Sequence, residues 1–230
     1  MIGFRFQASV FLLMMWVFAL SATELRIGNF DGKNWSGVPQ ALVKVPAHEE
    51  ELKVQLGLNE GRLFLCVRIP QKEVNLKHRP WVLKDEKFVV GKQLEDSLAL
   101  RFSQEGKEIQ DLWFWGANRT QWGFADDGFF KDGKYSPDAG KGPWKLNLSL
   151  ESLHRNRSRY LQAKPSASRS DVKVQAKYLA GEWELIFVRA LKSEHEDDLV
   201  LTKNFSLSLS KDQKSQSSKL IKVSFNEAAE

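Results

Sequence analysis

Short runs in which apolar and polar residues alternate, separated by turn residues, make up most of the chain. ALVKV (41–45), ELKVQLGL (51–58) and RLFLCVRIP (62–70) have the two-residue period of a β-strand. The Asn-Glu-Gly turn between the last two runs predicts a hairpin. Both faces of the 62–70 run are largely apolar, which is typical of a strand in the middle of a sheet.

The same pattern continues to the C-terminus, and helical periodicity is scarce. Further strands are predicted at EDSLALRF (95–102), EIQDLWFWG (108–116), DVKVQAKYL (171–179) and EWELIFVRAL (182–191). About ten to twelve strands at this spacing, without an internal repeat, predict an all-β fold that consists of a single antiparallel β-sandwich with long loops.

The segment from Ala117 to Pro143 has no clear period and is rich in Gly, Asp and Lys. A long irregular stretch within a compact domain is usually functional or mobile. Its carboxylates could converge on a hard cation such as calcium, or they could form Asx-turns around its glycines. These carboxylates belong to Asp126, Asp127, Asp132 and Asp138.

Residues 1–22 have the features of a secretory signal peptide. Arg5 precedes the apolar run ASVFLLMMWVFAL, and small residues follow it, so cleavage is expected near Ser21 or Ala22. An uncleaved anchor is the alternative, although the run is short for a bilayer span. We therefore expect one periplasmic or secreted domain over residues 23–226, with no stable membrane span after cleavage.

Charge and motif content narrow the function further. The net charge of +5 is spread over interspersed residues of both signs, which gives little support to a nucleic-acid partner. Cys66 is the only cysteine, so the chain has no internal disulfide and its core alone must stabilise the fold. The sequence lacks G-x-S-x-G, H-E-x-x-H and P-loop motifs, and we do not expect an enzyme.

Four separated stretches occur in an order that resembles one known family. They are FDGKNWSGVPQALV (30–43), LEDSLALRF (94–102), DLWFWGANRTQWGFADD (111–127) and SDVKVQAKYLAGEWELIFVRAL (170–191). The third is similar to a D-W-x-W-x-x-x-R-T…GxADD block. The family is the haem-binding domain of ethylbenzene-dehydrogenase type, found with enzymes of the DMSO-reductase family. It includes the dimethyl-sulfide-dehydrogenase γ subunit, and its immunoglobulin-like sandwich is shared with family-9 carbohydrate-binding modules.

The resemblance implies an exported electron-transfer module that holds a non-covalent haem b between two axial side chains and passes electrons to a redox partner protein. The family uses a methionine and a lysine as ligands, but all three methionines of this chain lie within residues 1–22. His78 falls roughly where the methionine is expected, and neutral imidazole suits haem iron. Lys203 is the candidate lysine, with Lys192 as the alternative, and either must be desolvated to lose its proton.

The aromatic pair Trp113 and Trp115 has three interpretations. Residues two apart lie on one face of a strand, and that face could pack the core, wall the porphyrin pocket or stack on a sugar. Arg119 could pair with a haem propionate or bridge to a carboxylate inside the structure. The alternative functions are a carbohydrate-binding or adhesion module with a glycan partner, and a degenerate copy that binds no haem.

Overall fold

The computed structural model describes residues 24–120, 123–147 and 158–225, and the predicted signal peptide lies outside these ranges. No helix in the described part of the chain is long and apolar enough to cross a membrane. The described elements, in chain order, are β1 Glu24–Asn29, β2 Gln40–Val43, β3 Leu52–Asn59, β4 Arg62–Pro70, β5 Trp81–Lys84, β6 Lys87–Val90, β7 Ser97–Ser103, β8 Gln110–Gly116, β9 Asp126–Lys131, β10 Lys134–Pro137, β11 Trp144–Leu146, β12 Tyr160–Gln162, the 3-10 helix Ala167–Ser170, β13 Lys173–Leu179, β14 Glu182–Ala190, β15 Phe205–Ser210 and β16 Ile221–Phe225.

The strands form a sandwich of two sheets that share β1. One sheet has the order β10-β9-β8-β7-β15-β16-β1, and the other has the order β1-β3-β4-β14-β13, with β2 paired to β3. β1 pairs in parallel with β16 and with β3, whereas the other described pairs are antiparallel. The prediction of an all-β sandwich is confirmed, and the parallel pairs at β1 are an addition to it.

Three small hairpins or ladders add to the sandwich strands: β5–β6, β9–β10 and β11–β12. Of these strands, β11 lies in WKLNLSL (144–150), whose alternating pattern also predicts a strand. The segment predicted to be irregular, 117–143, contains β9 and β10. Asp132 and Gly133 connect them with φ values of 51° and 72°. Two successive residues with positive φ are what a tight hairpin turn requires, and Asp-Gly is a favoured pair for it.

Strand β8 is buried on both faces. Its inward side chains Trp113 and Trp115 are 0% and 1% exposed, and its outward side chain Phe114 is also buried. The Trp113 ring packs against Phe102 with centroids 4.2 Å apart, and the Trp115 ring packs edge-on against Trp183 at 4.9 Å. The tryptophan pair is therefore part of the sandwich core, and neither ring offers a face to a surface ligand.

The outward faces of the sheets carry two smaller apolar clusters. On one sheet, Phe114 packs with Leu112 and Ala99 beneath Phe130 and Tyr135. On the other, the segment that follows β1 covers Cys66 with the side chains of Phe30, Trp35 and Val38. Short segments outside the sandwich thus bury apolar surface that two sheets alone would leave exposed.

Replacing Trp113 with alanine is expected to lower the free energy of unfolding by about 3–5 kcal/mol, because a fully buried ring is lost and a cavity remains. The measurement is urea unfolding followed by circular dichroism. Leu179→Ala is the control, since that side chain is 64% exposed and should change stability by less than about 0.5 kcal/mol. Equal stabilities of the two variants would contradict the core position of Trp113.

Candidate functional site

A cleft of about 400 Å³ lies at the end of the sandwich where β4 ends and β14 begins. β7 also begins there and β15 ends there, so both sheets contribute to it. We call it the end cleft, and its lining residues are Ala47, His48, Glu49, Glu50, Ile69, Pro70, Gln71, Lys72, Glu73, Asp96, Ser97, Trp183 and Lys211.

The indole of Trp183 forms the floor of the end cleft. It is 8% exposed, and its Nε1 donates a hydrogen bond to Oδ2 of Asp96 at 2.9 Å. Its ring contacts Trp115 on the core side and Tyr178 at 5.4 Å. Because the floor is packed on the sandwich core, its position is fixed before any ligand arrives.

The walls of the end cleft are also held in place. In each wall, a backbone carbonyl of the loop accepts a hydrogen bond from a side chain elsewhere in the chain. These bonds run from Tyr178 Oη to Gln71 O (2.8 Å), from Lys44 Nζ to Glu49 O (2.6 Å) and from Ser97 Oγ to Lys211 O (2.8 Å). A preformed site loses little conformational entropy when it binds a ligand, which favours affinity.

The rim of the end cleft carries charges of both signs. The carboxylates of Glu49, Glu50, Glu73 and Asp96 and the ammonium groups of Lys72 and Lys211 belong to the lining residues. The carboxylates outnumber the ammonium groups four to two, so this field does not steer phosphate or another anion into the cleft. The lining does place several hydrogen-bond donors and acceptors around one cavity.

His48 has hydrogen-bonding capacity to spare in this cleft. Burial, followed by the positive charge of Lys211, lowers the pKa of His48 below its usual value of 6.5. Its Nε2 is buried and has no hydrogen-bond partner among the residues described. Since a buried polar atom without a partner is destabilising, a ligand group that pairs with this nitrogen would gain affinity.

A second, more open depression lies on the outer face of the sheet formed by β3, β4 and β14. We call it the outer groove, lined by Lys33, Asn34, Trp35, Ser36, Val38, Gln40, Gln55, Arg68 and Glu184, with a volume of about 560 Å³.

The polar groups of the outer groove are already paired with one another. Nε2 of Gln55 donates to the carbonyls of Trp35 and Val38 at 2.9 and 2.8 Å. Arg68 donates from Nη1 to Oε1 of Gln55 at 3.2 Å and from Nε to Oε2 of Glu184 at 2.9 Å. These groups hold the groove together and have less capacity left for a ligand, so the end cleft is the stronger candidate.

Two of the residues singled out from the sequence, His78 and Arg119, meet at Glu95. The Glu95 side chain is fully buried, and its Oε1 lies 3.2 Å from His78 Nδ1 and also accepts a hydrogen bond from Arg119 Nε. Oε2 accepts the backbone N–H of Arg119 at 3.0 Å. Arg119 further places its guanidinium 4.6 Å from the centre of the Phe114 ring. Of the two partners considered for Arg119, a haem propionate and an internal carboxylate, the structure shows the internal carboxylate.

The environment of Glu95 favours its ionised form. Burial on its own would raise the pKa of this carboxyl, but the hydrogen bond to His78, the charge and hydrogen bond of Arg119 and the backbone N–H of Asn118 bring the pKa below its usual value of 4.5. A negative charge is therefore held between two basic side chains under the β11–β12 segment.

The candidate lysines lie in solvent. Lys203 is exposed in the turn before β15, and Lys192 is exposed in the turn after β14. A lysine that ligates iron must be desolvated to lose its proton, and neither position provides that setting. The structure thus brings His78 and Arg119 together but leaves Trp113, Trp115 and Lys203 in unrelated places.

The four aspartates of 126–138 do not converge on one loop site. Asp126 accepts hydrogen bonds from Arg169 Nε at 2.6 Å and from Trp144 Nε1 at 3.3 Å, and Asp132 is exposed in the β9–β10 turn. Asp127 and Asp138 are buried elsewhere, among side chains that come from distant parts of the chain. Asx-turns do not account for these last two residues.

Sequence reasoning missed the end cleft because its lining comes from five separate segments. Trp183 was assigned to a strand, and His48 was only one histidine in the charged segment AHEEE. The sequence does contain one indication of its place. Trp183 comes just after the turn at Gly181, near the start of a strand, and therefore lies at an end of the sandwich.

No protein-family model matches the chain, and no relative was found among curated proteins. Solved structures with a similar fold include a candidate carbohydrate-binding protein from Bacteroides uniformis, at 9% identity and a TM-score of 0.49, covering 88% of this chain and 97% of that one. Another is a family-9 carbohydrate-binding module from Caldicellulosiruptor kristjanssonii in complex with cellotriose, at 7% identity and a TM-score of 0.42, covering 88% and 93%. At these identities the similarity concerns the fold alone.

The expectation of a haem-binding, electron-transfer module is wrong. The similar solved structures are described as carbohydrate-binding and not as haem proteins. The structure gives the physical reason: the aromatic pair is in the core, Lys203 is solvated, and His78 faces a buried carboxylate that also holds Arg119. The sequence blocks that suggested the family are accounted for by the packing of the sandwich.

Replacing Glu95 with glutamine is expected to lower the free energy of unfolding by about 3–5 kcal/mol near neutral pH, because the buried cation of Arg119 loses its counter-charge. The pKa of Glu95 is lower in the folded state than in the unfolded state, so its stabilisation is present above about pH 4.5 and is lost as the pH falls through the folded-state pKa. Urea unfolding at a series of pH values measures both effects.

Glu108→Gln is the matched control, since that side chain is 81% exposed. It should leave stability within about 0.5 kcal/mol of the unchanged protein at every pH. A stability difference for Glu95→Gln that stays constant down to acidic pH would show that the charge of Glu95 is not what stabilises this region.

Proposed function

We propose that this protein is a non-catalytic carbohydrate-binding module that takes a sugar of a glycan chain in the end cleft. The observation that carries the proposal is a preformed cleft with an indole floor and a rim of mixed donors and acceptors. The segment 1–22 is expected to direct the module out of the cytoplasm.

Sugars suit the chemistry of this cleft. Their hydroxyl groups both donate and accept hydrogen bonds, so a neutral sugar is best recognised by several polar side chains of different kinds. The rim provides carboxylates and ammonium groups, and the imidazole of His48, with its unpaired Nε2, lies beside them. The apolar C–H face of a sugar ring packs well against an aromatic surface, which Trp183 supplies beside the aliphatic side chain of Ile69.

The volume and shape of the end cleft agree with this proposal. Small-molecule sites are usually concave and preformed, with volumes of about 300–1,000 Å³, and the end cleft falls at the lower part of that range. The cleft is thus sized for one or two sugar units, with the remainder of a glycan extending into solvent. The descriptions of the similar solved structures agree with carbohydrate binding, but their likeness is one of fold, so the cleft itself carries the argument.

Isothermal titration calorimetry against a panel of soluble oligosaccharides tests the proposal, and the panel should include cellulose, xylan, mannan and chitin fragments. At least one class is expected to bind with one site per chain. His48→Ala should weaken that binding about fivefold, the loss expected for one hydrogen bond of about 1 kcal/mol. Trp183→Phe should weaken it as well, because the floor loses its bond to Asp96.

Trp35→Phe is the matched control, since it alters a similarly buried tryptophan in the outer groove. It should bind as the unchanged protein does. Heats indistinguishable from dilution across the whole panel would refute carbohydrate binding. Binding that is weakened by Trp35→Phe but not by His48→Ala would refute the end cleft as its site.

A further inference from the structure

Four aspartates and one arginine are buried together inside the sandwich. They are far apart in the sequence, so no local pattern reveals the cluster. Asp111 and Asp127 lie on the neighbouring strands β8 and β9, Asp138 follows β10, and Asp198 lies between β14 and β15. All four are at most 7% exposed, and Arg189 on β14 is 2% exposed. Asp127 is paired in register with Trp113, so the cluster borders the core.

Arg189 donates hydrogen bonds to only some of these carboxylate oxygens. Its Nη1 donates to Oδ2 of Asp111 and to Oδ1 of Asp198, the latter at 2.9 Å. Within the described residues, the buried oxygens that have no hydrogen-bond partner are Asp111 Oδ1, Asp127 Oδ2, both Oδ atoms of Asp138 and Asp198 Oδ2. Asp111 and Asp198 thus each use one oxygen on the arginine. Buried polar atoms without a partner are rare and destabilising, and a bound ion is one explanation for several of them in one place.

The spacing of these oxygens fits a cation. One carboxylate oxygen each from Asp111, Asp127 and Asp198 lies within 4.8 Å of the others. Oxygens this close together can ligate one ion, since calcium binds oxygens at about 2.3–2.6 Å. Calcium accepts irregular arrangements of oxygens, whereas magnesium demands a near-octahedral set at about 2.0–2.1 Å.

The charge of the cluster also fits a cation. If all four carboxylates are ionised, Arg189 balances only one of them, and three negative charges remain in a buried site. A divalent cation would neutralise two of the remaining charges and give the free oxygens a partner.

An acidic path connects the cluster to solvent. Carboxylate and ring-nitrogen atoms of Asp171 and His195 lie within 4.8 Å of an Asp198 oxygen, and both side chains are more exposed than Asp198. Nδ1 of His195 is 2.9 Å from Oδ2 of Asp171, so these two are already paired with each other. Asp198 thus lies next to two partly exposed side chains, while Asp111 and Asp127 are more deeply buried.

We propose that Asp111, Asp127, Asp138 and Asp198 bind one hard divalent cation inside the sandwich, and that calcium is preferred because it accepts an irregular set of oxygen ligands. The ion ties β8 and β9 to the segment that joins β14 to β15. It stabilises the fold and takes no direct part in the end cleft, so the proposal is independent of carbohydrate binding.

Calcium titration of the full chain, freed of metal with a chelator, tests this inference. Calorimetry with CaCl₂ should show one site per chain, and MgCl₂ should bind more weakly. Calcium should also raise the thermal unfolding midpoint. Terbium is a second probe, and its luminescence should be sensitised by excitation of the adjacent Trp113.

Asp127→Asn and Asp138→Asn should each weaken calcium binding about a hundredfold or more, because even residues behind a metal ligand change affinity about 10–100-fold. Both variants should stay folded without metal, since each removes a buried charge. Asp132→Asn, in the exposed turn of the same hairpin, is the control and should bind calcium normally. Absence of a stoichiometric site, or a site unaffected by Asp127→Asn, would overturn the inference.

Discussion

The burial of β8 on both faces is the constraint on which the rest of the structure depends. A strand that is apolar on both sides needs the second sheet on one face and additional cover on the other. The inward face meets β14 across the core, and the outward face is covered by the β9–β10 hairpin and by Arg119. The three polar sites of the molecule each lie one contact away from this strand: Trp115 supports Trp183 in the end cleft, Trp113 borders Arg189, and Phe114 supports Arg119 at Glu95.

In this arrangement, the residues that stabilise the fold differ from those that are free to bind a ligand. The Glu95 and outer-groove networks are closed, because their charged and amide groups bond to one another. The end cleft differs, since its walls are held by bonds to backbone carbonyls while charged side chains of its rim remain available. A binding site can therefore change its specificity through rim residues without disturbing the packing beneath it.

The fold could be predicted from the sequence to the extent that local pattern determines it. Alternation correctly predicted the central strands, and the Trp-x-Trp spacing correctly placed Trp113 and Trp115 on one face. The β9–β10 hairpin lies in a segment whose Gly and Asp content predicts irregular structure, although Asp132-Gly133 is a strong turn signal.

The parallel pairs of β1 join residues from the two ends of the chain, and no local pattern indicates such a contact. The same holds for the end cleft and for the acidic cluster, where Asp111 and Asp198 come from distant parts of the chain and share Arg189. The family resemblance failed for a related reason: its blocks contain residues that the sandwich needs for packing, such as Trp113, Trp183 and Arg189, and these do not determine a ligand.

The most direct test of the central claim is a two-dimensional ¹H–¹⁵N NMR titration with an oligosaccharide that binds. The account predicts that the indole Nε1 resonance of Trp183 and the backbone amides of His48, Glu49 and Gln71 shift with the same saturation curve, while the indole resonances of Trp35 and Trp113 stay in place. Shifts centred on Trp35 and the outer groove, with Trp183 unchanged, would contradict it.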